Sequence, residues 1–114
     1  MDIIEFIANA LTEISNRGIC VISGWYDEDI NDTHITFCEL NDRTGEVSDD
    51  EEESIIHHIQ VDIWSKRDDW TLKKEVRKLM AKSEFGYIDG EDFFETDTKI
   101  YHKALRFNYV EEVQ

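Results

Sequence analysis

Ser54-Ile55-Ile56-His57-His58-Ile59-Gln60-Val61-Asp62-Ile63-Trp64-Ser65-Lys66 is the stretch on which the fold turns. Successive side chains of a strand point to opposite faces. Here Ile55, Ile59, Val61 and Ile63 fall on one face, and His58, Gln60, Asp62 and Lys66 fall on the other. The segment is therefore expected to be a strand with an apolar inner face. Trp64 falls on the polar face. It either packs in a second apolar layer under the helix that follows or stands exposed for a partner, and packing is the favoured reading.

Downstream, residues 69–83 read as a helix. Asp68 or Asp69 can cap it, and Leu72, Val76, Leu79 and Met80 form a stripe at helical spacing. Its opposite side is basic, with Lys73, Lys74, Arg77, Lys78 and Lys82. Trp70, in the first turn, is expected to fold back on the sheet. After Gly86 and Gly90, Phe93–Thr96 and Lys99–Glu111 read as a hairpin about Asp97-Thr98, with Tyr101, Leu105, Phe107 and Tyr109 sharing a face.

Upstream, residues 2–16 form an amphipathic helical pattern through Ile3, Ile4, Ile7, Leu11 and Ile14. Asp2 is the expected N-cap, Glu5 completes a capping-box spacing, and Gly18 suits a left-handed stop. Ile19–Ile22 and Thr33–Leu40 read as strands joined by a polar turn over 27–33. The expected class is α+β, in the order α-β-β-β-α-β-β, with two helices packed on a largely antiparallel sheet.

A length of 114 residues suits one domain spanning 1–114, and a 40% hydrophobic composition is enough for a core without disulfide or metal support. No stretch approaches the ~20 apolar residues of a membrane helix. Met1–Phe6 lacks a basic region and carries early acids, unlike a secretory signal. A cytoplasmic protein, or one in a particle assembled there, is the expectation, with Cys20 and Cys38 as reduced, buried thiols.

Charge is unevenly placed. The chain carries −15, and residues 27–53 alone hold twelve acids against the single base Arg43, which is −11. Asn41–Glu53, ending in Asp49-Asp50-Glu51-Glu52-Glu53, is expected as a solvated acidic loop, because adjacent like charges cannot pack together. Such a field repels nucleic acid, so no direct DNA binding is expected.

Nothing in the sequence spells out catalysis. Catalytic carboxylates need shifted pKa values, and the acidic run looks fully wet. His57 and His58 are adjacent on a strand and point apart; no His-x-x-His or Cys-x-x-Cys spacing occurs. One half-buried and three exposed imidazoles are expected, with no metal or cofactor. Phosphate-loop, dinucleotide-binding and nucleophile-elbow motifs are absent.

His58–Lys66, followed by the Leu72, Val76, Leu79 and Met80 helix, the segment Phe93-Phe94-Glu95-Thr96-Asp97 and the strand Ile100–Tyr109, resembles the small tail-completion proteins of long-tailed bacteriophages. These are the tail-terminator and head–tail joining proteins. The likeness covers most of 54–114, and residues 1–40 in pattern only; 41–53 corresponds least. It implies a non-enzymatic subunit of a ring, typically of six copies, that caps the tail tube and offers a surface to the head. The implied partners are the tail-tube protein and the head connector protein, and the implied location is the tail or neck of a virion assembled in a bacterial cytoplasm. Such a subunit can be monomeric until it meets its template. Independently, the acidic run Asp49, Asp50, Glu51, Glu52 and Glu53 and the basic face Lys73, Lys74, Arg77, Lys78 and Lys82 are two different patches of opposite sign, which suit head-to-tail contacts that close into rings. The rival readings are an acidic DNA mimic that inhibits a DNA-binding enzyme, and a small enzyme or ligand-binding domain.

Overall fold

The computed structural model describes residues 1–27, 31–45, 47–48 and 51–113. In chain order the elements are α1 (Ile3–Ala10), α2 (Thr12–Ser15), β1 (Cys20–Ser23), β2 (His34–Thr44), β3 (Val47–Ser48), β4 (Glu51–Glu52), β5 (Ser54–Ser65), α3 (Trp70–Lys82), β6 (Gly86–Glu95) and β7 (Ile100–Glu112). Five strands make one sheet in the order β1-β2-β5-β7-β6. Only β1 with β2 is parallel; β2–β5, β5–β7 and β6–β7 are antiparallel. The α+β class read from the sequence is the observed one.

β5 lies at the centre of the sheet. Ile59, Val61 and Ile63 meet Ile35 and Phe37 of β2 and Leu105 and Phe107 of β7 in one core, closed by Ile3 and Ile7 of α1, Ile14 of α2, Leu11 between them, and Leu72, Val76, Leu79 and Met80 from α3. Aromatic contacts seal its margin, where Phe6 lies 4.9 Å from the Tyr109 ring and 5.4 Å from that of Phe85.

The expected helix 2–16 is broken at Leu11. Asp2 caps its start by accepting from the Glu5 N–H at 3.1 Å. At the break, the Thr12 hydroxyl donates to the Asn9 carbonyl at 2.8 Å and competes with the backbone ladder. Gly18 takes φ 96°, the left-handed stop expected of it.

The second face of the sheet is also covered, but not by α3. Ser23-Gly24-Trp25-Tyr26 turns across it, so that Tyr26 and Trp25 lie 4.7 and 5.6 Å from the Trp64 ring. Trp64 is thus packed, though under this segment rather than under the helix. Trp70 does not fold back on the sheet: it is 59% exposed, beneath the Lys74 ammonium.

Two further expectations are corrected. Asn41–Thr44 is not loop but continues β2, paired with Ile55–His58, because a register shift between Glu39 and Asn41 lets the ladder run on; β3 and β4 then form a small hairpin within the acidic segment. β6 begins at Gly86 rather than Phe93, and its acids are held by cations, Asp89 and Glu91 by Arg106 and Asp92 by Lys73. Among the described residues no helix is long and apolar enough to cross a membrane.

Candidate assembly surface

The basic side of α3 is partly committed within the chain. Asp69 caps the helix by accepting from the Leu72 N–H at 3.1 Å, which sets the phase that turns Lys73, Lys74, Arg77, Lys78 and Lys82 away from the core. Lys73 reaches Asp92 at 3.1 Å, and the buried Lys103 reaches Asp68 at 2.5 Å and Asp92 at 3.4 Å. Burial pushes the Asp92 carboxyl up, but Lys73 and Lys103 outweigh it and hold it below its ordinary value. The Arg77 guanidinium lies 3.8 Å over the Tyr87 ring. Glu75 is bonded by both terminal nitrogens of Arg17, the main cause of its lowered pKa, with Lys78 adding to it. The cations left facing outward are Lys74, Lys78 and Lys82, which line a surface hollow with Glu13 and Leu79.

On the acidic side, Asp49 and Asp50 lie outside the described residues. Glu51 and Glu52 are in β4 opposite Ser48 and Val47, and Glu53 is exposed, its carbonyl accepting from the Val113 N–H at 2.8 Å. This hairpin precedes β5, which runs for roughly 40 Å at ~3.3 Å per residue before the chain reaches α3, so the acidic hairpin and the basic helix face lie on different elements with the whole of β5 between them in the chain.

The sheet edge at β6 was not anticipated. β6 pairs with β7 on one side only, and nine of its ten residues are exposed. Tyr87, Ile88, Phe93 and Phe94 are large exposed apolar side chains on this one strand. A long edge with unpaired backbone groups and apolar side chains is a template for pairing. The other edge, β1, is four residues long. The clue in the sequence was the pair Phe93-Phe94: neighbours on a strand point to opposite faces, so both can be buried only where both faces are covered.

The histidines differ from expectation. His34, His57 and His102 are buried and His58 half-buried; His57 and His102 meet carboxylates, whereas His34 packs beside Tyr26 with Nδ1 3.0 Å from the Asp32 carbonyl. His57 lies between two carboxylates, Nδ1 2.5 Å from Glu39 Oε2 and Nε2 2.8 Å from Glu111 Oε1. Burial pushes this imidazole down, but the hydrogen bonds to Glu39 and Glu111 outweigh it and leave the pKa raised. Donor atoms of Glu39, Asp42 and His57 all lie within 4.8 Å of one another, a set able to hold a metal ion. On the second face, His102 Nε2 meets Asp62 Oδ1 at 2.6 Å, and Gln60 Nε2 donates to the same oxygen at 2.9 Å. Cys20 and Cys38 are free and half-buried, and burial, with help from the Asp62 charge, pushes the Cys38 thiol up, the opposite of an activated nucleophile.

No protein-family model and no curated protein sequence matches the chain. Solved structures do share its fold. One is a chain described as "Virion of native gene transfer agent (GTA) particle", at a TM-score of 0.56 and 10% identity over 94% of this chain and 84% of that one.

Proposed function

We propose that this chain is a structural subunit of a phage-like virion, and that its place is the tail end of the neck, where it closes the tail tube as a ring and presents a surface to the head. The observation that carries the virion reading is the fold shared over nearly the whole chain with a component of a gene transfer agent particle. The tail-terminator or joining role rests on the resemblance of His58–Tyr109. The open β6 edge and the separated charged patches support assembly: each is a different surface, and two different surfaces in contact give head-to-tail association, which closes into a ring when the rotation permits. Tail-tube and head connector proteins are the partners in this reading, and catalysis has no part in it.

Mass spectrometry of purified particles, with gold-labelled antibody against the chain, tests the proposal. Label at the head–tail junction supports it. Particles free of the chain would contradict it. The −11 carried by residues 27–53 favours a second reading, a DNA mimic. Capture of a cytoplasmic DNA-binding enzyme, competed by duplex DNA, would replace the virion role with that one.

A further inference from the structure

We propose that Glu39, Asp42 and His57 form a binding site for a divalent transition-metal cation of the zinc or manganese class, at the base of the acidic hairpin. The proposal is independent of the virion reading.

The site is made by one irregularity of the backbone. Glu39 pairs with Ile59, but Asn41 pairs with His58 and Asp42 with His57, so Leu40 is the extra residue of a β-bulge. In a regular strand, residues three apart point to opposite faces. The bulge reverses that phase after Leu40, and Asp42 joins Glu39 on the face that carries His57. The donor atoms of all three then fall within 4.8 Å of one another.

The donor set is mixed, an imidazole nitrogen with two carboxylates from two paired strands. Nitrogen with carboxylate oxygen suits zinc and manganese better than magnesium, which prefers oxygen alone and keeps its waters. The far side of the ring is already held. His57 Nε2 lies 2.8 Å from Glu111 Oε1 on β7, the carboxylate–histidine arrangement that orients metal-ligating imidazoles and turns the other nitrogen to the ion. Nδ1 points towards Glu39, 2.5 Å from Oε2. On binding, the cation takes the place of the Nδ1 proton between these two groups, and the proton leaves to solvent.

Charge points the same way. Three carboxylates, Glu39, Asp42 and Glu111, gather round one imidazole, and Asp42 makes no ion pair with a described residue. An imidazolium and the Met1 ammonium, 3.6 Å from Glu111 Oε2, still leave that group net negative; a divalent cation offsets it. His57 is only 5% exposed, whereas Asp42 faces solvent, so the ion has an entry path and a protected inner ligand. Once bound, it ties β2 to β5, and through Glu111 to β7, where the sheet runs out into the acidic hairpin.

The test is calorimetric titration of the full chain, stripped with chelator, using ZnCl2, MnCl2 and MgCl2, with thermal melting in parallel. Saturable one-to-one binding of zinc or manganese and a raised melting temperature are expected, with magnesium weaker. Asp42→Asn, at an exposed side chain without an ion pair to a described residue, keeps the fold and should weaken zinc at least tenfold; Glu111→Gln, in the outer shell, should weaken it about 10- to 100-fold. Glu95→Gln, on the remote β6, should change nothing. Absence of saturable binding would overturn the proposal. So would zinc binding that survives Asp42→Asn and is lost when Asp49–Glu53 are neutralised together, which would place the ion on the acidic run instead.

Discussion

The imidazole of His102 lies flat on the indole of Trp64, ring centroids 3.7 Å apart and 12° from parallel, while its Nε2 meets Asp62 at 2.6 Å. Asp62 is fully buried, and its Oδ2 has no hydrogen-bond partner among the described residues. A buried charge persists only where its donors are held in place, so the stack and the carboxylate depend on each other. Removing Asp62 strips the buried imidazole of its carboxylate, and removing His102 leaves Asp62 with Gln60 as its remaining donor, each at about 1–3 kcal/mol. Asp62→Ala and His102→Ala should each destabilise by that order, and the double variant by less than the sum, with a coupling above ~0.5 kcal/mol. Urea unfolding of the three variants checks this; strictly additive losses would show the two residues to be independent.

His57 makes stability depend on pH. Its pKa is raised in the fold, the hydrogen bonds to Glu39 and Glu111 outweighing the lowering by burial. A group of this kind contributes fully below its unfolded value and loses that contribution as pH rises through its folded value. In chelator, the urea midpoint should therefore fall as pH is raised above 6.5, the ordinary value for the group. Glu111→Gln, which removes one of the two carboxylates, should flatten the fall. An unchanged slope in that variant would mean that the dependence comes from elsewhere.

Asp69→Ala tests the start of α3. The Asp69 carboxylate satisfies the Leu72 N–H at 3.1 Å. Loss of such a cap costs about 1 kcal/mol. The melting temperature should drop by several degrees with no change in folded-state circular dichroism.

What could be read in advance was whatever repeats with a period. The alternation of Ile59, Val61 and Ile63 identified β5, and the spacing of Leu72, Val76, Leu79 and Met80 identified α3, because burial of one face enforces each pattern. What escaped was decided by contacts across the chain. The extra residue at Leu40 has no periodic signature, and without it Asp42 would face away from Glu39. Asp89-Gly90-Glu91-Asp92 looks like a turn until Arg106, Lys73 and Lys103 come alongside. Trp64 needed a cover that comes from Trp25 and Tyr26, far upstream, rather than from the adjacent helix. The three buried histidines follow from these same pairings.

The open edge should matter to assembly and little to folding. Ile88 is 47% exposed at the irregular register of β6 between Tyr87 and Asp89. Ile88→Glu should leave the monomer within about 0.5 kcal/mol of the original, as surface substitutions usually do. The same change should prevent incorporation into particles, because a charge on an edge strand opposes strand pairing. Normal incorporation of the variant would remove β6 from the assembly surface.

Electron microscopy of particles made from a genome lacking this gene tests the central claim most directly. Overlong or ragged tails without heads are the predicted result for a subunit that ends the tube, and normal-length tails beside separate, DNA-filled heads are the result for one that joins it. Intact, infectious particles would contradict the structural role altogether.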